Sequence, residues 1–227
     1  MILVGSGALV WRAADHAASA GKTVDAVIHP RGEVVPARAA RFECVGTDDV
    51  NGVADVIDAV SSDRLVCSTG NPFIFREPVL ELGLTIVNVH GAPLPGYRGL
   101  PVVAAAFAIL RAEVEFGVTL HRVDAGIDTG AVIERRMFPM PADVTLEELS
   151  MAVTQACHDI FMANLGDLDR PPAPEGPPAV SGEYFGRKRL ASIGDHRGNP
   201  NFARAIELGV LGDYYPEYAD VFASARG

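Results

Sequence analysis

Positively charged residues are scarce in this sequence. Lysine and arginine together number 19 against 29 aspartates and glutamates, so the formal net charge is −10 over 227 residues. A surface this acidic argues against broad binding of nucleic acid or anionic lipid, because both are negatively charged themselves. The densest basic cluster, Arg187-Lys188-Arg189, is typical of a solvated face. We therefore expect neither a nucleic-acid nor a membrane partner, although a small pocket for an anionic ligand is compatible with this composition.

Cysteine is also scarce, and its spacing argues against two kinds of site. Cys44, Cys67 and Cys157 lie far apart, without a Cys-x-x-Cys pair and without the Cys/His spacing of a metal centre. Cys44 and Cys67 fall within strand-like runs, where a buried free thiol is the usual state. The set indicates a reducing compartment, and no metal is expected.

The N-terminal stretch lacks the features of a targeting or membrane segment. No basic region precedes its apolar run, and its pattern changes from that of a strand to that of a helix. Neither a signal peptide nor a membrane span is predicted, so a cytoplasmic location is expected.

Several nucleotide and hydrolase motifs are missing as well. The chain has no Gly-x-Ser-x-Gly, no His-Glu-x-x-His and no phosphate loop ending in Gly-Lys-Ser/Thr. The turn Gly5-Ser6-Gly7 lacks the third glycine of a dinucleotide fingerprint, since Val10 stands there, and His29-Pro30 replaces the expected acidic residue. An NAD or FAD site is therefore not expected. The turn is either a tight connection without a ligand or a helix N-terminus that binds an anionic group.

What the sequence does contain is an alternation of strand and helix patterns through its first half. The predicted strands cover residues 2–4, 24–28, 41–45, 65–67, 85–89, 116–123 and 131–138. The main predicted helices cover residues 7–20, 49–60, 101–110 and 146–163, the last preceded by a capping box of Thr145 and Glu148. This alternation predicts an α/β fold: a Rossmann-like, mainly parallel twisted sheet with helices on both faces.

Composition also divides the chain. A main domain is expected over residues 1–168, followed by a proline-rich linker at 169–180 and a small C-terminal extension at 181–227. Within the extension, Asn199 is predicted to cap a short helix that Gly209 ends.

Polar residues fall at the predicted carboxyl ends of strands, where parallel α/β sheets bind their ligands. Asn88-Val89-His90 ends one strand, and residues two apart on a strand point to the same face. The Asn88 amide can donate to a developing oxyanion, and the His90 imidazole can move a proton at neutral pH. The alternative is an asparagine turn beside an ordinary histidine.

A second polar cluster follows the strand at 116–123. The segment HRVDAGIDTGAVI, residues 121–133, places Asp124 and Asp128 on a glycine-rich loop. Glycines on both sides of Asp128 allow a tight backbone path, so its carboxylate could reach a neighbouring strand end. If it meets His90, it would orient the ring and favour its protonated form. The alternative is a plain surface turn rich in aspartate and glycine.

Together, NVHGAPLPGYRGLP at 88–101 and FGVTLHRVDAGIDTGAVI at 116–133 resemble the folate-dependent formyltransferases. That family includes glycinamide ribonucleotide, methionyl-tRNA and amino-sugar N-formyltransferases, and the resemblance covers residues 65–165. It implies that Asn88, His90 and Asp128 form a catalytic trio, with His121 in a supporting role. It also implies N10-formyltetrahydrofolate as the formyl donor, and no metal.

The same resemblance implies binding residues. The donor would be enclosed by the segment 68–75 and the loop before Asp128, which contribute Ser68, Gly70, Phe73, Ile74, Phe75, Asp124 and Gly126. The acceptor would lie between Gly5, Ser6 and Gly7 on one side and Tyr97 and Arg98 on the other. The chain departs from the family after His90, where Gly91-Ala92-Pro93 replaces a stretch in which relatives commonly carry a serine.

The acceptor is expected to be a small-molecule amine. The acidic surface and the lack of a recognisable large domain after residue 170 argue against tRNA. A nucleotide-linked amino sugar is the leading expectation, followed by an amine or hydroxylamine of siderophore or antibiotic synthesis. Two alternatives keep the same fold: a hydrolase that releases formate from formyl-folate, and a folate-binding protein without catalysis. The sequence leaves open whether the chain forms a homodimer.

Overall fold

The computed structural model of the protein describes residues 1–168 and 182–226. The predicted proline-rich linker at 169–180 falls outside the described residues. The strands are β1 (Ile2–Gly5), β2 (Ala26–Pro30), β3 (Cys44–Thr47), β4 (Leu65–Thr69), β5 (Thr85–His90), β6 (Tyr97–Gly99), β7 (Glu115–Arg122), β8 (Val132–Pro139) and β9 (Glu183–Phe185). The helices are α1 (Gly7–Ser19), α2 (Ala54–Val60), α3 (Glu77–Leu80), α4 (Pro101–Leu110), α5 (Leu146–Asn164), α6 (Arg187–Ala191), α7 (Phe202–Ala205) and α8 (Pro216–Arg226).

Seven of these strands form one sheet, in the order β3-β2-β1-β4-β5-β7-β8. The five strands from β3 to β5 in this order pair in parallel, and β7 pairs with β5 in the antiparallel direction. The predicted α/β fold with a mainly parallel sheet is therefore confirmed. The parallel arrangement brings the carboxyl ends of β1, β4 and β5 to the same edge of the sheet.

The core of the sheet is built from strands that are buried on both faces. Ile2 and Val4 on β1 pack in a cluster that also contains Ile57 of α2 and Val79 of α3. Leu3 points to the opposite face and is fully buried as well. Helix α1 contacts β1. Burial on two faces explains why these strands are continuous apolar runs rather than alternating patterns.

Two predicted strands are displaced in the structure. β2 begins at residue 26 instead of 24, and β3 covers Cys44–Thr47 instead of 41–45. The second displacement has a local cause, because residues Ala37–Arg41 form a 3-10 helix that uses part of the predicted strand. The backbone N–H of Phe42 then donates to the carbonyl of Ala39 and closes that turn.

The helix predicted between Asn199 and Gly209 is shorter than expected. The Asn199 side chain does accept a hydrogen bond from the Asn201 N–H, but α7 ends at Ala205. The cause is a tertiary contact: the Glu207 carbonyl accepts a hydrogen bond from the Glu147 N–H of α5 at 2.8 Å instead of a hydrogen bond within a continued α7. Gly209 then begins a 3-10 turn, so the prediction that it ends the helix was wrong.

The chain forms two compact units. The first contains Met1–His90, Thr119–Glu134 and residues 157–168. The second contains Gly91–Val118, Arg135–Ala156 and residues 182–226, so the described part of the C-terminal extension belongs to it. Within this second unit β6 and β9 form a separate two-stranded parallel sheet. Gly99 has a φ of +102°, and a Cβ there would lie 2.9 Å from the Phe185 carbonyl oxygen, so the pairing needs glycine.

The remaining sequence expectations concern membranes and thiols. None of the helices within the described residues is long and apolar enough to cross a bilayer. Cys44, Cys67 and Cys157 are free, and the last two are buried. Burial raises the pKa of each of these two thiols to about 12, so they stay protonated and unreactive at neutral pH.

Candidate active site

The polar row of the site crosses three neighbouring strands of the first unit. In the β4–β5 pairing Ser68 lies opposite Asn88, and in the β5–β7 pairing Asn88 lies opposite His121. Directly opposed residues on neighbouring strands point to the same face, so these three side chains emerge side by side. Ser68 and His121 are 1% and 2% exposed, whereas Asn88 is half-buried. Asn88 is therefore the member of the row that a ligand can reach.

The Asn88 amide is held at both of its ends. Its Oδ1 accepts a hydrogen bond from the Ser68 hydroxyl at 2.8 Å, and its Nδ2 lies 3.1 Å from Nε2 of His121. One proton of Nδ2 is used in the second contact, and the other has no partner among the described residues. The amide can offer that remaining N–H to a ligand.

His121 is held in one tautomer by its backbone partner. Its Nδ1 lies 2.8 Å from the Arg122 carbonyl oxygen, which can only accept, so Nδ1 carries the proton. Burial, reinforced by the neighbouring His90, lowers the pKa of His121 to about 4. The ring is therefore neutral at pH 7, and its Nε2 accepts the hydrogen bond from Asn88.

Asp128 sits on the loop between β7 and β8 in a backbone conformation that few residues adopt. Its φ is +54°, in the left-handed region, where aspartate is tolerated better than most side chains. Asp124 shapes the loop, because its Oδ1 accepts from the Gly126 N–H at 3.0 Å and from the Thr129 hydroxyl at 2.6 Å. A Cβ at Gly130 would overlap the Arg122 carbonyl oxygen, so this position requires glycine.

The Asp128 carboxylate approaches two histidines equally. Its Oδ1 lies 3.7 Å from Nδ1 of His90 and 3.7 Å from Nε2 of His121. Since His121 is neutral and its Nε2 is an acceptor, it offers Asp128 neither a charge nor a proton. His90 is therefore the partner for this carboxylate, which can orient the ring and stabilise positive charge that develops on it. Catalytic contacts are often this long before a ligand binds.

The segment expected to contact the folate has mixed exposure. Phe75 belongs to the buried core, so its ring cannot reach a ligand, whereas Phe73 packs against that core and is only partly buried. Ile74 is 49% exposed, and so is Ile127 at 40% in the loop before Asp128. Asp124 and Gly126, as described above, bond to each other and define the loop. Gly70 accepts from the Ser6 N–H at 3.0 Å, which brings the two glycine-rich turns together.

The Gly5-Ser6-Gly7 turn does begin a helix, but a carboxylate of the chain itself lies at its N-terminus. The Gly7 N–H donates to Oε1 of Glu33 at 2.7 Å, and the buried Trp11 indole donates to the same oxygen at 2.9 Å. Ser6 makes no capping hydrogen bond of its own. An anionic ligand at this turn would have to compete with Glu33 for the helix N–H groups.

Tyr97 and Arg98 lie in the second unit, where both have protein partners. The Tyr97 hydroxyl donates to Glu113 at 2.8 Å, and burial together with this bond raises its pKa to about 12. Its ring stacks on Phe185. Arg98 donates to the Gly182 carbonyl at 3.3 Å, while its buried Nε has no partner among the described residues. Because this Nε is buried, its lack of a partner does not by itself show that a ligand can reach it.

Ala92 stands where the family resemblance implies a serine. Ala92 has no exposed surface and packs within the second unit. A hydroxyl at this position would be buried and would need a partner of its own. Alanine at this position therefore places no side-chain polar group in this packing.

Two side chains near the site were not predicted to act as they do. The resemblance implies a folate contact for Ser68 and does not predict its bond to Asn88, and no sequence motif indicates the contact of Glu33 with the Gly7 N–H. Ser68 lies at the carboxyl end of β4, opposite Asn88 on β5. The sequence indicates their contact only when the register between these two strands is known. Glu33 follows a loop whose path no local pattern predicts.

A sequence profile described as formyl transferase matches residues 12–165, which is more than half of the chain. The chain belongs to the formyl transferase family. The matched region contains the whole polar row and the loop that carries Asp128. It also contains β6, α4 and all of α5.

Several relatives of this formyl transferase family member are known. A methionyl-tRNA formyltransferase of Microcystis aeruginosa is 35% identical over 98 residues, which cover 43% of this chain and 30% of that protein. The chain thus spans about a third of the length of this curated relative. Among solved structures, an N-formyltransferase from Helicobacter canadensis in complex with folinic acid and dTDP-3-aminofucose superposes with a TM-score of 0.71, at 22% identity, covering 90% of this chain and 79% of that one.

A purine-pathway structure is similar too. Glycinamide ribonucleotide transformylase 1 from Symbiobacterium toebii has a TM-score of 0.64 at 25% identity and covers 71% of this chain and 82% of that one. These structures confirm the fold of this family member. Among its described residues, no three His, Cys, Asp or Glu side chains are grouped so that they could hold a metal ion.

Protonation of His121 is expected to destabilise this formyl transferase family member as the pH falls. The unfolded chain takes up this proton near pH 6.5 and the folded chain only near pH 4. The contribution of neutral His121 is therefore fully present above pH 6.5 and is lost as the pH falls towards 4. At about 1.4 kcal/mol per pKa unit, the loss is on the order of 3 kcal/mol in the free energy of unfolding.

Urea unfolding between pH 7.5 and pH 4.5 measures this loss. The His121→Gln variant should show a flatter pH dependence than the wild type, because its side chain does not titrate. Equal slopes for wild type and His121→Gln would contradict the assignment of a neutral His121.

Proposed function

We propose that this protein transfers the formyl group of N10-formyltetrahydrofolate to the amine of a small metabolite. The observation that carries the proposal is the arrangement of the Asn88 amide, which is hydrogen-bonded to Ser68 and His121. The His90–Asp128 pair lies beside it. Bound N10-formyltetrahydrofolate would supply the formyl carbon as the electrophile. The residues of the chain would then stabilise charge and move protons, and the chemistry asks for no metal.

Asn88 would stabilise the negative charge that builds on the formyl oxygen when the amine attacks. The support is the second Nδ2 proton of Asn88, for which no described residue serves as a partner. Asn88 is also the half-buried member of the row, whereas Ser68 and His121 are buried. A fixed N–H donor aimed at a developing oxyanion is typically worth about 10²–10³ in rate. His90 would act as the second donor in its protonated form.

Asp128 and His90 would handle the protons of the reaction. The attacking amine loses a proton and the leaving folate nitrogen gains one, so a group that both accepts and donates is needed. The His90 ring has this capacity, and the adjacent carboxylate stabilises its charged form. A water between amine and carboxylate would complete the relay.

The residues assigned to the donor fit a flat, partly apolar ligand. Ile74 and Ile127 each lie in one of the two assigned segments, and both expose apolar surface there. Pockets for heterocyclic ligands are lined mainly by apolar side chains with a few fixed polar groups. The remaining Asn88 N–H supplies one such polar group next to Asp128. Phe75, by contrast, would contribute only through its backbone, because its ring is buried.

For the acceptor we favour a nucleotide-linked amino sugar. The support is the Helicobacter canadensis neighbour, whose complex contains dTDP-3-aminofucose and which matches 90% of this chain. A net charge of −10 disfavours tRNA as the acceptor. An amine or hydroxylamine of siderophore or antibiotic synthesis is the next class to test. The cytoplasmic location and a homodimer stay predictions.

An assay of formyl transfer tests the proposal. The purified protein is incubated with N10-formyltetrahydrofolate alone and then with amino-sugar nucleotides, hydroxyornithine or aminoacyl-tRNA, and tetrahydrofolate release is followed. We expect release that depends on an added amine and a formylated product by mass spectrometry. Release without amine would indicate a hydrolase. Binding of a stable folate analogue without release under any condition would indicate a non-catalytic protein.

A further inference from the structure

We propose that Ser68 is a positioning residue for the reaction, one that holds the Asn88 amide in place rather than contacting the folate. This inference rests on the proposed function, because it assigns Asn88 the oxyanion. The resemblance to the formyltransferases implies that Ser68 is a folate-binding residue. Its side chain is 1% exposed, and its hydroxyl hydrogen-bonds to Oδ1 of Asn88 at 2.8 Å.

Strand register makes this contact. The parallel pairing of β4 with β5 sets Ser68 opposite Asn88, and both side chains leave the sheet on the same face. The neighbours on β4, Cys67 and Thr69, point to the other face because side chains alternate along a strand. Ser68 is thus the β4 residue that the pairing sets against the Asn88 amide.

The asparagine amide needs a hydrogen-bond partner at both Oδ1 and Nδ2, because these two atoms differ in chemistry but hardly in size. A carbonyl oxygen turned towards the formyl oxygen would repel the developing negative charge instead of stabilising it. His121 fixes the direction: the Arg122 carbonyl holds the proton on Nδ1, so Nε2 must accept, and only the Nδ2 end of Asn88 can donate to it. Ser68 fixes the other end and stops the amide from rotating away.

Removal of the Ser68 hydroxyl leaves Oδ1 of Asn88 without its protein partner. The amide then gains freedom about its terminal torsion, which is broad when no partner restrains it. One lost hydrogen bond of this kind reduces the fraction of correctly oriented amide, so we expect kcat to fall about tenfold. The affinity for the folate should not change, since the Ser68 side chain is 1% exposed and offers a ligand no surface.

The test is a double-mutant cycle with Ser68→Ala, Asn88→Ala and the double variant. Ser68→Ala should lower kcat about tenfold with an unchanged folate Kd, and should have no further effect once Asn88 is alanine, because both changes remove the same contribution. Ser68→Cys, which keeps the size but donates weakly, should behave like Ser68→Ala. Thr47→Val is the matched control and should leave kcat and the folate Kd unchanged, since it removes a buried, hydrogen-bonded hydroxyl from β3, outside the segments assigned to the folate and the acceptor.

Hydrogen exchange of the Asn88 side-chain NH₂, followed by NMR, tests the positioning without any assay of formyl transfer. We expect exchange to be about tenfold faster in Ser68→Ala than in the wild type, because the released amide reaches water more often. A wild type that transfers no formyl group would refute the proposed function alone. A weaker folate Kd with unchanged kcat in Ser68→Ala, an equal effect in the Asn88→Ala background, or unchanged exchange would each overturn the inference.

Discussion

The His90→Ala and Asp128→Asn variants are each expected to lose formyl transfer, with kcat lower by about 10²–10⁴. Both side chains are largely buried beside the Asn88 row, and their nearest polar atoms are 3.7 Å apart. His90→Ala removes the proton carrier together with one oxyanion donor. Asp128→Asn keeps the size of the side chain but removes the negative charge that stabilises a protonated ring.

Binding of the folate should survive both changes, which separates them from a loss of folding. Isothermal titration with a stable folate analogue should give a Kd within a few-fold of the wild type, while kcat falls. Asp143→Asn is a matched control, because it removes one negative charge from an exposed position and should leave kcat unchanged. A kcat within tenfold of the wild type in either site variant would rule out the proposed roles.

The effects of His90→Ala and Asp128→Asn on kcat should also not be additive. If Asp128 acts through the charge of His90, the His90→Ala/Asp128→Asn double variant should be about as slow as His90→Ala alone. Independent roles would instead multiply the two losses.

The fold was predictable because its strands and helices carry strong local patterns. α4 begins and ends where the sequence predicted, with Pro101 in its first turn and Leu110 as its last residue. The capping box at α5 forms as expected: the Thr145 hydroxyl accepts from the Glu148 N–H, and the Glu148 carboxylate accepts from the Thr145 N–H. Patterns of this kind depend on residues three or four apart, which the sequence shows directly.

The site was predictable in part. That Asn88 and His90 leave β5 on one face follows from the two-residue period of a strand. The approach of Asp128 to His90 was conditional, because it depends on the fold of a whole loop. Neither the Ser68–Asn88 bond nor the His121–Asn88 bond could be derived, since a shift of one residue in strand register would have turned either side chain to the opposite face.

Contacts between distant short segments were not predictable at all. β6 and β9 are three residues each and are separated by more than eighty positions, so neither carries a readable pattern. Their pairing depends on tertiary contacts of Tyr97, Phe107 and Phe185. The same holds for the early end of α7, where a backbone bond to α5 overrides local helix propensity.

Phe185→Ala is expected to destabilise the second unit by about 3–5 kcal/mol, the usual cost of truncating a buried phenylalanine. Phe185 has no exposed surface. Its ring stacks on Tyr97 with centroids 4.9 Å apart, lies 5.5 Å from Phe107, and is covered by the Arg111 guanidinium at 5.3 Å. Urea unfolding at pH 7.5 measures the loss. Tyr184→Ala, on the adjacent and 48% exposed residue of β9, should cost no more than about 1 kcal/mol.

The milder Phe185→Leu variant tests whether the packing around Phe185 affects binding of the acceptor amine. Leucine keeps an apolar side chain but removes the face on which Tyr97 stacks, so β6 should remain paired while Tyr97 and Arg98 lose their fixed position. If these two residues contact the acceptor, KM for the amine should rise several-fold while the folate Kd stays constant. An unchanged KM in a folded Phe185→Leu protein would place the acceptor away from Tyr97 and leave Phe185 with a purely structural role.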